Sequence, residues 1–331
     1  MLSQNATKWS ALTVQCLELP FFERIASAER VLIAGAGGGC DFVSGLPLYF
    51  ALRESGKQVF LSNLSFSNLR STSGHWLAPK LFEVTSDAAS DEIYFPERSV
   101  SRWLREEGHD DRVYAFEPGG VRSLVKCYQI LVKKLEVDTV ILVDGGTDSL
   151  MRGDEFDLGT PEEDISSILA VDELAVDNKL LASLGFGVDA FHGVCHAQFL
   201  ENVAVLIRIG GYLGAFSLTE EMASVRAYHR AVEAVVNELP PRYASIVCTS
   251  ISSAITGHFG NHHATDRTMG SELFINPLMS FYWCFDVPAV ASQVLYREAA
   301  LTTETFEELA RVISEFRMTC PTIRPWKDIP V

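Results

Sequence analysis

Apolar runs and amphipathic stretches alternate along most of this chain. "RVLIAGAGGGCD", residues 30–41, is an apolar run that breaks into glycines, which predicts a buried strand, a tight turn and a helix start. "FVSGLPLYFALRESG" then carries apolar residues at helical spacing, and "KQVFLSNLSF" returns to a strand pattern that ends in Ser62 and Asn63. Residues 64–96 lose the alternation and are expected to form an excursion or flap, with strand-like pieces at "LFEVTS" and "EIYFPE". Beyond them "SVSRWLREEG" predicts a helix, "RVYAFEPGG" a strand, "VRSLVKCYQILVKKLEV" a strongly amphipathic helix and "DTVILVDGG" a strand buried on both faces.

The second half continues the pattern. "PEEDISSILAVDELAVDNKLLASLG" reads as one helix, capped by Thr160 before Pro161. "FGVDAFHG" reads as strand-like, "AQFLENVAVLIRIGG" and "TEEMASVRAYHRAVEAVVNEL" as helices, and "ASIVCTSISSAITG" as a strand and turn. "ELFINPLMSFYWCFDV" is β-prone, "ETFEELARVISEFRM" is a late helix, and "PTIRPWKDIPV" is an extended tail. A lead-in helical stretch is expected over residues 1–29, where "LELPFFERI" shows one apolar face. Such alternation predicts a three-layer α/β/α Rossmann-like domain with a mainly parallel sheet, here a single domain over residues 1–331. Ligands of such folds bind beyond the carboxyl ends of strands. Polar-glycine clusters at 35–41, 62–65, 117–120, 144–149, 189–196 and 249–258 all fall at predicted ends of that kind, which argues for a single cleft.

Composition narrows the function classes. The chain has 331 residues, is 47% hydrophobic and carries a formal net charge of −16, a balance that opposes binding a nucleic-acid backbone. No apolar run approaches the roughly 18–20 residues of a membrane span, and no signal-peptide pattern opens the chain. The seven cysteines are dispersed with no Cys-x-x-Cys pair, so reduced cytoplasmic thiols are expected instead of a disulfide framework or zinc site. The expected partner is a small molecule; the apolar "PLMSFYWCF" suits either a core or a homo-oligomer interface.

The chemistry concentrates in the clusters. In "GAGGGCD" the backbone at Gly35, Gly37, Gly38 and Gly39 would let a phosphate approach a helix start. Cys40 stands where the third glycine of the Rossmann fingerprint belongs, and no acid ends the second strand, where Asn63 could bond a ribose hydroxyl. In "DGGTDS" Asp144 ends a strand, Gly145 and Gly146 allow close approach, and Asp148 adds a second acid; these could hold a divalent cation, act as general base or grip ribose. His192 in "GVDAFHGVCH" has Asp189 three residues before and His196 four after, which suits an oriented base or, on a helix, a metal pair. Arg152, Asp154 and Glu155 read as surface charge, and "GHFGNHHATDR" as a surface loop or a lid. The absence of a Gly-x-Ser-x-Gly elbow and of a Walker lysine argues against a serine hydrolase and a P-loop enzyme.

"AGAGGGCDFVSGLPL", "VDGGTDSLMRGDE…LGTPEED" and "IRPWKDIP" together resemble the domain of unknown function 1152 family, from about residue 29 to 330. That resemblance implies a soluble Rossmann-like α/β domain and no particular activity. "GAGGGCDFVSGLP" and "GVDAFH" are also similar to sirtuin motifs, which would place NAD-phosphate glycines at Gly35 and Gly37 and a catalytic histidine at His192. Leu48, Tyr49, Phe50 and Gly187 depart from the sirtuin pattern, and zinc cysteine pairs are missing. The expected function is an enzyme, a hydrolase or group transferase, acting on a ribose-phosphate ligand such as NAD or another nucleotide, with Asp144, Asp148 and His192 as catalytic groups. The alternative is a non-catalytic nucleotide sensor.

Overall fold

The computed structural model describes residues 18–329; the expected lead-in helix lies outside them up to residue 17 and is met from Pro20 onward. The helices are α1 (Pro20–Ala26), α2 (Leu46–Glu54), α3 (Pro96–Glu106), α4 (Val121–Leu135), α5 (Pro161–Asp172), α6 (His196–Arg208), α7 (Ala223–Glu238), α8 (Ile246–Ile255), α9 (Val287–Ala291), α10 (Arg297–Ala300) and α11 (Phe306–Thr319). The strands are β1 (Arg30–Gly35), β2 (Gln58–Leu64), β3 (His75–Ala78), β4 (Leu81–Val84), β5 (Val113–Phe116), β6 (Thr139–Asp144), β7 (Asn178–Leu184), β8 (Tyr212–Ser217), β9 (Gly260–Asn261), β10 (Phe274–Ile275) and β11 (Phe281–Asp286).

Nine strands form one sheet in the order β3-β4-β5-β2-β1-β6-β7-β11-β8. The central run β5-β2-β1-β6-β7 is parallel. β11 runs antiparallel between β7 and β8, and β4 antiparallel along β5. Helices cover both faces, so central strands are apolar throughout: Val140 to Val143 of β6 are entirely buried. Each such side chain contributes about 1.5–3 kcal/mol of burial. One core lies between the sheet and α1, α2, α3, α7 and α8, built around Phe21, Leu46, Leu104, Tyr228 and Ile251. The other packs α4, α5, α6 and α11 against the opposite face through Leu131, Ile168, Phe199 and Leu309. The result is the three-layer α/β/α arrangement.

Chain direction across the sheet reverses between β1 and β6. From β1 the chain steps outward to β2 and β5, then returns to β6 and continues to β7. The loops leaving β1 and β6 therefore part to opposite faces and open a crevice at their carboxyl ends.

Several segments differ from their sequence patterns. The single helix expected over 161–185 ends at Asp172, and "NKLLASL" is strand β7. Its apolar run suits a strand covered on both faces as well as a buried helix, and only sheet pairing decides. "FGVDAFHG" is no strand: Val188–His192 forms a 3-10 turn between left-handed glycines 187 and 193. "ASIVCTSISSAITG" forms helix α8, because Ser245 caps Cys248 N–H and the Thr249 and Ser253 hydroxyls bond carbonyls one turn back. The cluster 249–258 is thus not at a strand end. Within 64–96, "LFEVTS" opens with β4, whereas "EIYFPE" leads into α3. "YLGAFS" is strand β8, which sequence periodicity did not single out. The aromatic segment becomes interior at β11, where Tyr282, Cys284 and Phe285 are buried. No helix among the described residues is long and apolar enough to cross a membrane.

Candidate functional site

The turns leaving β1 and β6 meet at the crevice. Gly38 and Gly39 adopt left-handed backbone angles, so the chain doubles back before Asp41. Asp41 Oδ2 accepts from Gly37 N–H at 2.8 Å. The loop that resembles an anion cradle thus already holds a carboxyl group of its own. Gly39 N–H donates to the Leu64 carbonyl, and Asn63 Nδ2 donates to the Gly39 carbonyl at 2.7 Å and to Glu97 Oε1 at 2.8 Å. Asn63 is wholly buried and its amide braces the glycine turn, while its Oδ1 has no partner. Gly35 packs directly against it: a Cβ there would stand 2.3 Å from that oxygen.

Four further carboxylates line the same crevice. Asp144 ends β6 and accepts from Ser149, whose hydroxyl also meets Ser183 at 3.1 Å. Asp148, in the following 3-10 turn, accepts from Thr160 N–H at 2.9 Å. Asp164 comes from the first turn of α5, which begins at Pro161. Asp189 arrives from beyond β7 and accepts from Thr147 N–H at 2.6 Å. Gly146 makes that approach feasible, because a Cβ there would lie 2.6 Å from Asp189 Oδ2. Gly145 likewise faces Asp41 and Ser44, each 3.0 Å from where its side chain would start. These glycines make room for carboxylates.

One oxygen or more from each of Asp41, Asp144 and Asp164 lies within 4.8 Å of the others, an arrangement able to take a metal ion. Asp144 and Asp164 are each only 1% exposed, whereas Asp41 is half-buried and offers a way in. None of these five carboxylates forms an ion pair among the described residues. Burial, reinforced by Asp148, pushes Asp144 up to about 8. Burial and the neighbouring acids also hold Asp41, Asp164 and Asp189 well above the ordinary carboxylate range. Burial raises Asp148 too, against the pull of its Thr160 hydrogen bonds and of nearby His192.

His192 is exposed at the end of its 3-10 turn, on the rim beside Asp148. It does not share a helix face with His196, which starts α6 and packs between Phe186 and Trp326. The loop with His258 and His262 lines a different cleft, of about 720 Å³, with His229 and Ser252. None of the five carboxylates lines that cleft. Arg152, Asp154 and Glu155 are not surface charge. Glu155 is entirely buried and accepts from Arg152 N–H, Gly153 N–H, Asn202 and Arg324. Sequence reading missed Asp41 and Asp164 as site residues. Asp41 closes the glycine segment, and Asp164 lies in "PEED", where an acid in a first helical turn reads simply as a favourable charge.

A family model described as a protein of unknown function (DUF1152) matches residues 89–320. The chain belongs to that family. The matched span contains Asp144, Asp148, Asp164, Asp189 and His192, and leaves out the Gly35–Gly39 turn, Asp41 and Asn63. Comparison with curated proteins and with solved structures gave no match.

Proposed function

We propose that this protein is an enzyme, a hydrolase or group transferase, acting on a ribose-phosphate ligand such as NAD or another nucleotide. The observation that carries the reading is the convergence of Asp41, Asp144 and Asp164 at the reversal between β1 and β6, where folds of this architecture bind ligands. With no cation bound, Asp144, pushed up to about 8, suits general acid-base work; with a cation on it, that work falls to Asp148 beside it and His192 on the rim. The glycine turn contributes by shaping the crevice and presenting Asp41, since Gly37 N–H is already engaged. One observation favours a second reading, a nucleotide sensor without catalysis: Asp144, Asp148 and Asp189 each spend an oxygen on Ser149, Thr160 and Thr147, as structural carboxylates do.

Calorimetry with NAD and nucleotides, followed by turnover assays, separates the two. Wild-type protein should bind and convert a nucleotide, and Asp144→Asn should keep binding while losing about 100-fold or more in turnover. Binding without product leaves the sensor standing; no binding of any ribose phosphate removes both.

A further inference from the structure

We propose that Asp41, Asp144 and Asp164 form a binding site for a hard divalent cation of the Mg²⁺ or Mn²⁺ class. The proposal stands on Asp164. Asp164 is only 1% exposed, and neither carboxylate oxygen has a hydrogen-bond partner. An isolated buried carboxylate is costly, and a protein either protonates it or pairs it. Here it is aimed at two other carboxylates. The spacing suits one ion, because opposite oxygens around a cation at 2.0–2.6 Å stand roughly 4–5 Å apart.

A second buried orphan lies nearby. Ser44 Oγ is buried without a partner and sits against the same point beside Gly145 as Asp41 Oδ1. The donor set is all oxygen, with no cysteine or imidazole, which selects a hard ion over zinc or copper. The remaining hydrogen bonds place the ligands. Gly37 N–H holds Asp41 Oδ2 and Ser149 holds Asp144 Oδ2, so two of the three carboxyls are fixed in place beside Asp164. Water completes the shell, entering past half-buried Asp41. The site rests on geometry independent of the nucleotide reading, yet supplies what that reading needs: a positive charge between clustered carboxylates and a phosphate.

The test uses the full chain, stripped with EDTA and titrated with Mn²⁺, with free Mn²⁺ read by electron paramagnetic resonance and no nucleotide present. One Mn²⁺ should bind per chain, compete with Mg²⁺ and raise the melting temperature. Asp164→Asn should weaken binding at least about tenfold, and its metal-free form should melt no lower than wild type, since the cost of ionising an unpartnered buried acid is gone. Asp41→Asn, whose amide oxygen can still accept from Gly37, should weaken Mn²⁺ comparably and serves if Asp164→Asn does not fold. Absence of Mn²⁺ binding by wild type, or wild-type affinity in both variants, overturns the site and means the acids share protons instead. Mn²⁺ binding without nucleotide binding leaves the cation and removes the nucleotide. Nucleotide turnover in EDTA by protein that binds no Mn²⁺ does the reverse.

Discussion

Glu97 lies wholly inside the molecule, with Asn63 Nδ2 on one oxygen and nothing on the other. Burial drives its carboxyl up to about 7, against the Asn63 bond that pulls the other way. A carboxyl raised on folding stabilises the protein fully below the ordinary carboxylate range and loses that contribution as pH climbs through 7. Metal-free wild type should therefore lose melting temperature between pH 5 and 8, and Glu97→Gln should flatten the part of the slope due to this residue. A parallel slope in both proteins would show that Glu97 ionises freely. Gly146 offers a steric counterpart. Gly146→Ala would set a methyl 2.6 Å from Asp189 Oδ2, so Asp189 must leave its bond to Thr147 N–H. Lower stability in urea denaturation is expected, and wild-type stability would mean that the two turns part easily.

Among the elements, α8 is the most instructive, since its β-branched and hydroxyl residues read as a strand. Ser245 caps it and side-chain hydroxyls bond its carbonyls, so local polar bonds compensate for poor helix formers. Ser245→Ala should cost about 1 kcal/mol in urea unfolding; no change would mean the cap bond is replaced by water. The same ambiguity hid β7. "NKLLASL" is buried from Leu180 to Leu184, and a segment buried on both faces has no amphipathic period to show. By contrast α4 and α11 were legible, because each buries one face only: Leu124, Tyr128 and Leu131 on α4, and Leu309 and Ile313 on α11.

At the scale of the molecule, residues 321–329 act as a strap joined to the loop after β6. Arg324 donates to Glu155 at 2.6 Å, to Asp154 at 2.8 Å and to Glu201 at 2.8 Å, and Gln198 holds the Arg324 and Pro325 carbonyls. Glu155 is completely buried, so removing its cation leaves an uncompensated charge. Arg324→Ala should destabilise the fold by roughly 3 kcal/mol, whereas Lys327→Ala, at an exposed pair with Glu201, should change little. Chemical denaturation of the two variants side by side checks the contrast. Equal losses would mean that the strap contributes through its backbone alone.

The layering, the glycine turn after β1 and the placing of Asp144 at a strand's end follow from local periodicity and turn chemistry. Those signals lie between residues close in sequence. Asp144 and Asp148 could be chosen for that reason. Which acids join them could not, because Asp41, Asp164 and Asp189 come from the segment after β1, the first turn of α5 and the segment after β7. Asp164 looks like any acid in a first helical turn until sheet order brings β1 beside β6. The same holds for Glu155, whose partner Arg324 is 169 positions away. Burial, and with it the meaning of a charge, belongs to the packed chain: a carboxylate is ordinary in water and becomes a site once tertiary structure removes the water and leaves its oxygens facing one another.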